Sequence, residues 1–176
     1  MTRVALGVAL STVLAAGLAT VSLQAQAPAP VKVELKNGQG QAIGTATLTQ
    51  EMNMVHIALD VKGLTPGQHA IHVHMTPTCE GPAFTSAGGH FNPAGKKHGT
   101  QNPEGPHAGD MPNFTVAADG TSKAMVMASS VTLGTAANSV FTNGGTALVI
   151  HAGADDMKTD PAGAAGDRIA CGVIKK

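Results

Sequence analysis

Seven residues of this sequence have side chains that commonly bind transition metals. They are His72, His74, His90, His98, His107, Asp110 and His151. His72 and His74 stand two apart at the end of an apolar run, so on a β-strand both side chains project from one face. Imidazole nitrogens with one carboxylate are donors that zinc and copper prefer. Seven donors are more than one tetrahedral ion uses, so the sequence predicts two metal sites close together.

The elements that must position these residues are short β-strands. In eight segments, apolar and polar residues alternate or β-branched residues cluster. The segments are residues 31–35, 43–49, 52–61, 69–75, 113–117, 122–127, 147–151 and 169–174. Asp119-Gly120, between the fifth and sixth segments, is a hairpin signal. Beyond the first 27 residues no segment has a helical period.

Two stretches without this alternation connect the strands. Thr76–Met111 is rich in Pro, Gly, Asn and Thr and holds four of the seven donors, which argues for a functional loop. A second loop, rich in Gly, Ala and Asp, separates the last two strands. We therefore predict an all-β fold, an eight-stranded antiparallel Greek-key flattened barrel or sandwich with two long functional loops.

The first 27 residues predict a secretory signal peptide. Arg3 is their one charge, an Ala/Leu/Val-rich run follows at Val4–Leu23, and small residues stand at Ala25 and Ala27. Cleavage after either alanine is open. An uncleaved membrane anchor is the alternative, since about 20 residues can span a bilayer, but the weak hydrophobicity of the run favours the signal peptide. Both interpretations predict an exported protein, periplasmic or extracellular.

The rest of the chain has the composition of one small domain. We predict a short linker at residues 28–30 and a single domain at 31–176. Without Arg3, ten basic residues stand against eleven acidic ones, which indicates no nucleic-acid partner. Cys79 and Cys171 fit an exported protein with one disulfide. With no Trp, no Tyr and four Phe, the core must come from smaller side chains, so metals and a disulfide would contribute much of the stability.

Six motifs together resemble those of the copper/zinc superoxide dismutases, with the spacing of the bacterial secreted (periplasmic) branch. They are H-V-H at 72–74, G-G-H-F-N-P at 88–93, K-H-G at 97–99, H-x-G-D at 107–110, H-A-G-A-D-D at 151–156 and G-D-R-I-A-C-G-V at 166–173. The motifs stand in the family's order, and the resemblance runs from about Val31 to the C-terminus. A lone H-x-H pair would be weak, whereas six ordered motifs are specific.

The resemblance implies an oxidoreductase that converts superoxide to O₂ and H₂O₂ by alternating Cu(II) and Cu(I), with a zinc-supported bridging histidine. The copper ligands that it implies are His72, His74, His90 and His151. The zinc ligands that it implies are His90, His98, His107 and Asp110. His90 belongs to both sets as an imidazolate between the two ions, and it is expected to be a catalytic residue.

The resemblance also implies roles for residues that do not bind metal. Arg168 matches the family's catalytic arginine, which sits beside the copper and attracts the small anion, a role that suits a planar and permanently charged group. Asp155 matches the carboxylate that hydrogen-bonds one copper histidine and one zinc histidine, here His72 and His98. Lys158 is a weak further candidate for attracting the anion, and we interpret it as an ordinary solvated lysine.

Three further residues match structural features of the family. Cys79 and Cys171 match its intrachain disulfide, although the interval from Cys79 to His90 contains a bacterial-type insertion. His69 matches a histidine that supports the barrel and does not bind metal.

The resemblance also bears on partners and on an alternative function. It implies superoxide as the substrate. Membrane contact is expected only if the N-terminal segment stays uncleaved, and a homodimer and a monomer are both open. The main alternative function is a non-enzymatic copper-binding or copper-delivery protein on the same fold. Met52, Met54 and His56 fall on one face of a predicted strand, where thioether and imidazole donors could hold Cu(I). We interpret this face as a packed surface or a subunit interface, with Cu(I) binding as the alternative.

Overall fold

The computed structural model describes Met1 and residues 28–176. The predicted signal peptide therefore lies, apart from Met1, outside the described residues. Within the described part, nine strands follow in chain order. They are β1 (Val31–Asn37), β2 (Ala42–Glu51), β3 (Met54–Val61), β4 (Gly67–His69), β5 (Ile71–His74), β6 (Phe114–Val116), β7 (Ser122–Ala128), β8 (Thr146–His151) and β9 (Arg168–Ile174).

The strands form one large curled sheet and one small sheet. The large sheet has the order β5-β8-β9-β1-β2-β3-β7, and β4 pairs with β6 in the small sheet. Every pairing between these strands is antiparallel. Only two short 3₁₀ turns, Thr85–Ala87 and Thr142–Gly144, interrupt the all-β pattern of residues 28–176. No helix in that range is long and apolar enough to span a bilayer. The predicted all-β fold is confirmed.

Alternation of side chains explains how the strands bury one face. Along β3, Val55, Ile57, Leu59 and Val61 are buried in the main core, while the residues between them point outward. The strands β5 and β8 differ, since every residue in them is buried. Their second face packs under the long loop before β6, which contributes Phe84 and other apolar side chains. This covered face is also the one that carries the two histidines of β5.

Two details of the predicted strand plan are wrong. The predicted strand 69–75 divides at Ala70 into β4 and β5, because the Ala70 backbone pairs instead with Gly153 and His151. The segments flanking Asp119-Gly120 meet at a tight turn but do not form a ladder. Instead, β6 pairs with β4 in the small sheet and β7 pairs with β3 in the large sheet, while both strands bury apolar side chains in the same core.

The predicted strand face containing Met52 is also wrong at its first residue. Met52 lies in the turn between β2 and β3 with a positive φ of 49°, and β3 begins only at Met54. Met54 and His56 do lie on the outward face of β3 and are half-buried.

The predicted disulfide between Cys79 and Cys171 is confirmed, with 5.6 Å between the Cα atoms. It joins the long loop to β9 across 92 positions of sequence. Cys171 is buried beside Phe84, Ala147 and Val149, so the bond holds the loop onto the covered face of the sheet.

Opening this disulfide should destabilise the metal-free protein by about 2–5 kcal/mol, because a long loop regains conformational freedom in the unfolded chain. Urea unfolding of the metal-free Cys79→Ser, Cys171→Ser variant measures the loss, and chemically reduced wild-type protein is the matched control. Equal unfolding free energies for oxidised and reduced wild type would contradict this expectation.

Candidate metal centre

Backbone pairing brings the metal-binding motifs together around β5. His74 forms an isolated antiparallel bridge with His90, which lies far along the loop. The Val73 N–H donates to the carbonyl of Gly109 at 3.0 Å, and its carbonyl accepts from the Phe91 N–H at 2.8 Å. Two distant parts of the loop are therefore anchored to one strand residue that lies between two predicted ligands.

Gly109 allows this close approach of backbones. A Cβ atom at this position would lie 2.2 Å from the carbonyl oxygen of Val73, so any other residue would push the loop away. His107 and Asp110 flank this glycine and are held at the centre by the same contact.

The structure brings the seven predicted donors into two groups with one shared member. The first group is His72, His74, His90 and His151. The second group is His90, His98, His107 and Asp110. Within each group the ligand atoms lie within 4.8 Å of one another, and all seven residues are buried.

In the first group, each histidine directs one unpaired nitrogen inward. Among the described residues, the buried side-chain atoms without a hydrogen-bond partner are four ring nitrogens, His72 Nδ1, His74 Nε2, His90 Nε2 and His151 Nε2. Their opposite ring nitrogens are all engaged, as when His74 Nδ1–H donates to the Gly88 carbonyl at 2.9 Å and His151 Nδ1–H to the Gly166 carbonyl at 3.1 Å. Buried polar atoms without partners are rare and costly, and four that converge fit a metal with imidazole ligands.

In the second group, four donor atoms surround one point. Asp110 Oδ1 lies 2.8 Å from His90 Nδ1, 3.0 Å from His98 Nδ1 and 3.3 Å from His107 Nδ1. The Nδ1 atoms of His90 and His107 are 3.4 Å apart. A tetrahedral zinc ion with ligands at about 2.0–2.1 Å holds them about 3.3 Å apart. The group therefore fits a tetrahedral ion with all four ligands from the protein. His90 contributes its Nδ1 atom to this group, while its Nε2 belongs to the first group.

Asp155 lies behind both groups, as the sequence predicts. Its Oδ2 accepts from His72 Nε2–H at 2.8 Å, and its Oδ1 accepts from His98 Nε2–H at 3.0 Å. Asn113 clamps the Asp155 backbone through two hydrogen bonds of 2.9 Å. The carboxylate thereby orients one ring of each group and fixes which nitrogen of each ring is protonated.

Burial favours the neutral form of three histidines in the first group, which leaves them ready to bind a cation. It lowers the pKa of His74 to about 2 and those of His90 and His151 to about 4. His98 differs: burial lowers its pKa, but hydrogen bonds to Asp110 and Asp155 outweigh burial and raise it to about 9. In the absence of metal, His98 thus offsets the charge of the two buried carboxylates.

Those carboxylates are ionised. Burial acts to raise the pKa of Asp110, yet hydrogen bonds from His90 and His98 hold it well below its usual range. The pKa of Asp155 is lowered in the same way, by hydrogen bonds from His72 and His98 that outweigh its burial. The centre therefore combines three neutral imidazoles, those of His74, His90 and His151, with two ionised carboxylates, which favours divalent cations.

Arg168 lies next to the first group. Its backbone pairs with His151, and its guanidinium donates to the carbonyls of Phe84 at 2.8 Å and Gly88 at 2.7 Å. The Gly88 carbonyl also accepts from His74, so one oxygen joins the arginine to the first group. The side chain is half-buried, and burial lowers its pKa.

His69 stands apart from both groups, as the sequence predicts. It is buried beside Phe114, and its Nδ1 lies 2.7 Å from the His151 carbonyl oxygen. Its contact therefore supports the end of β8. Lys158 is exposed at the loop surface.

Asp160 is a residue that sequence reasoning missed. Its Oδ1 accepts from the backbone N–H of His98 at 2.7 Å and lies 3.9 Å from His107 Nε2. The second long loop thus contacts two members of the second group. No motif or spacing marks Asp160, because its contact spans 62 positions and goes to a backbone N–H. Asn113 was missed for the same kind of reason, since its hydrogen bonds go to the backbone of Asp155, 42 positions away.

Removing the Asp160 carboxylate should weaken zinc binding at the second group about tenfold, because groups that orient metal ligands typically contribute 10–100-fold in affinity. Competition of the Asp160→Ala variant with a chromophoric zinc chelator measures this change. Asp119→Ala is the matched control, since Asp119 is an exposed aspartate whose hydrogen bonds stay within its own turn. Equal zinc affinities for both variants would remove Asp160 from the centre.

Comparison with known proteins agrees with this geometry. A model of the family described as copper/zinc superoxide dismutase (SODC) matches residues 42–174. Superoxide dismutase (Cu-Zn) 2 of Aquifex aeolicus (strain VF5) is 51% identical over 168 residues, which cover 94% of this chain and 98% of that protein. Superoxide dismutase (Cu-Zn) of Caulobacter vibrioides is 43% identical over 135 residues, 75% of this chain and 78% of the relative.

Solved structures show the same similarity. The Cu/Zn superoxide dismutase from Brucella abortus matches with a TM-score of 0.67 and 29% identity, over 84% of this chain and all (100%) of that chain. A double mutant of a SOD-like protein from Bacillus subtilis matches with a TM-score of 0.80 and 38% identity, over 82% of this chain and 97% of the other. With the family match over most of its length, this chain belongs to the copper/zinc superoxide dismutase family.

Proposed function

We propose that the chain dismutes superoxide at a copper site formed by the first group. The observation that carries this proposal is the set of four buried nitrogens that converge without hydrogen-bond partners. Copper bound there supplies the one-electron couple between Cu(II) and Cu(I) that the reaction needs. In the balanced reaction, two superoxide anions and two protons give one O₂ and one H₂O₂.

The second group is the proposed zinc site. Three imidazoles and one carboxylate supply all four ligands from the protein, which makes the site closed and structural. The residues of this group hold the ring of His90 in place, and a zinc ion bound there would polarise that ring.

His90 is the proposed proton carrier. Its Nδ1 faces the second group and its Nε2 the first, so neither nitrogen would carry a proton if a metal ion were bound in each group. Whenever Nε2 is not engaged as a ligand, this atom can hold a proton, which it would donate to the reduced anion. Water supplies the second proton. Because the ring is anchored through Nδ1, the proton stays at one defined position.

Arg168 is the proposed anion-binding residue. Its guanidinium is positioned by two loop carbonyls, and its backbone neighbour is His151. A fixed positive charge at this place would attract superoxide towards the first group. Arginine suits the task because its planar group stays charged and keeps its orientation.

The cellular context completes the proposal. We propose a signal peptide at residues 1–27, a linker at 28–30 and a catalytic domain at 31–176, with export to the periplasm or the extracellular space. The disulfide supports export, because oxidising compartments preserve such bonds. The non-enzymatic copper-binding alternative is not favoured, since the ligand set and Arg168 are both present. A homodimer and a monomer are both compatible with this function.

Protein loaded with both metals should accelerate superoxide decay, and chelation should abolish this activity. Arg168→Ala should lower kcat/KM on the order of tenfold and reduce its fall with ionic strength, because electrostatic attraction is screened by salt. Lys62→Ala, which removes an exposed charge after β3, is the control and should behave like wild type. Pulse-radiolysis rates at several salt concentrations test this. A wild-type rate without salt dependence, or an unchanged Arg168→Ala rate, argues against the role of the arginine.

The Asp155→Asn variant should lose 10–100-fold in affinity for copper and zinc, because an amide cannot accept hydrogen bonds from both rings. Competition titrations measure both affinities, and electron paramagnetic resonance of the Cu(II) protein reports the changed ligand orientation. Asp156→Asn is the matched control, as that neighbouring carboxylate accepts hydrogen bonds from Lys158 and Thr159 of its own loop and lies outside the two donor groups. Unaltered affinities in Asp155→Asn would show that this carboxylate does not position the ligands.

A further inference from the structure

The outward face of β3 and β7 carries a cluster of sulfur and imidazole donors. These two strands lie at the opposite end of the large sheet from β5 and β8, which carry three of the buried histidines. We define the methionine face as Met54, His56, Met125 and Met127. His56 pairs directly with Met127, and Met125 pairs with Ala58 on the same strands. Sequence reasoning found only the β3 members, because the register that adds β7 joins segments about 70 positions apart.

Strand geometry lets these side chains converge. Directly opposite residues on one face have Cβ atoms about 4.5–5.5 Å apart, and diagonal neighbours about 7–8 Å. Met54 and Met125 are each two positions from the His56–Met127 pair along their own strands, so all four side chains share one face. Methionine has three rotatable bonds beyond Cα, so the Met127 thioether and that of one flanking methionine can approach the imidazole of His56. Met54 and Met125 flank the His56–Met127 pair on opposite sides, about 13 Å apart along the strands, so either one can complete the donor set.

These methionines do not serve the core. Val55, Ile57, Val126 and Ala128 alternate with them and are buried in the main core on the other face. Met125 and Met127 remain 61% and 51% exposed in the described part of the chain. Large apolar side chains exposed together on one surface indicate a binding function.

The donor set identifies the ligand. Thioethers are soft donors that select Cu(I) and are poor ligands for magnesium or calcium, and imidazole accepts copper as well. The Nδ1 atom of His56 lies 3.4 Å from Glu51 Oε2, a carboxylate contact of the kind that orients metal-binding histidines. The Nε2 atom is left to face a ligand. We propose that the methionine face binds one Cu(I) ion through His56, Met127 and one of the two flanking thioethers, that of Met54 or Met125.

The metal preference of this site would differ from that of the buried centre. The imidazole-rich groups accept both copper and zinc, whereas a thioether site discriminates strongly in favour of Cu(I). The physiological use of such a site, as a copper-selective entry point, rests on the proposed function. Binding of Cu(I) itself does not.

The test uses protein already loaded with copper and zinc, titrated anaerobically with Cu(I) in competition with bicinchoninate. Wild type should take up one additional equivalent, and X-ray absorption should show sulfur scatterers around it. The Met54→Leu, Met125→Leu, Met127→Leu variant keeps side-chain volume and should lose this equivalent. Met75→Leu is the matched control, because Met75 is also 51% exposed but lies outside the face.

Three outcomes overturn the proposal. They are that wild type binds no additional Cu(I), that the triple variant binds as much Cu(I) as wild type, and that metal-independent dimerisation in sedimentation is lost in the triple variant. The third would make this face a subunit contact. Superoxide decay is measured in parallel: full activity with no extra Cu(I) refutes only this inference, and an extra equivalent without activity refutes only the proposed function.

Discussion

A single imidazole ring, that of His90, belongs to two groups of buried donor atoms at once. Its Nδ1 lies among the second group, and its Nε2 is one of four nitrogens of the first. Because the ring is rigid, any displacement of His90 disturbs both groups together. The remaining contacts of the centre can be understood as constraints on this ring and its neighbours.

Those constraints come from backbone pairing and from carboxylates. The bridge between His74 and His90 fixes the loop against β5, and the contact of Gly109 with Val73 brings the second part of the same loop back. Asp110 and Asp155 then connect the rings across the centre. Such a network is stable only when the buried charges are balanced. Bound cations provide that balance, so folding of the long loop and metal binding are coupled.

The proposed anion-binding region around Arg168 depends on the same loop. The Cys79–Cys171 disulfide joins the loop to β9, and Arg168 on β9 donates to the carbonyls of Phe84 and Gly88 in that loop. The covalent link and the arginine contacts therefore act on the same two elements. With a core made mostly of aliphatic side chains, these cross-links give precision to a site that packing alone would hold less firmly.

Sequence alone determined the donor types, their order and the alternation that makes the chain all-β, because these depend on residue identity and local spacing. The six motifs also predicted the family, the disulfide and the place of Asp155. Tertiary structure decided which nitrogen of each ring is left free, how the predicted strand 69–75 divides at Ala70, and that Asp160 contacts His98. It also brought Met125 and Met127 to the face of His56. Each of these depends on strand register or on contacts between distant segments, and local patterns do not specify which segments become neighbours.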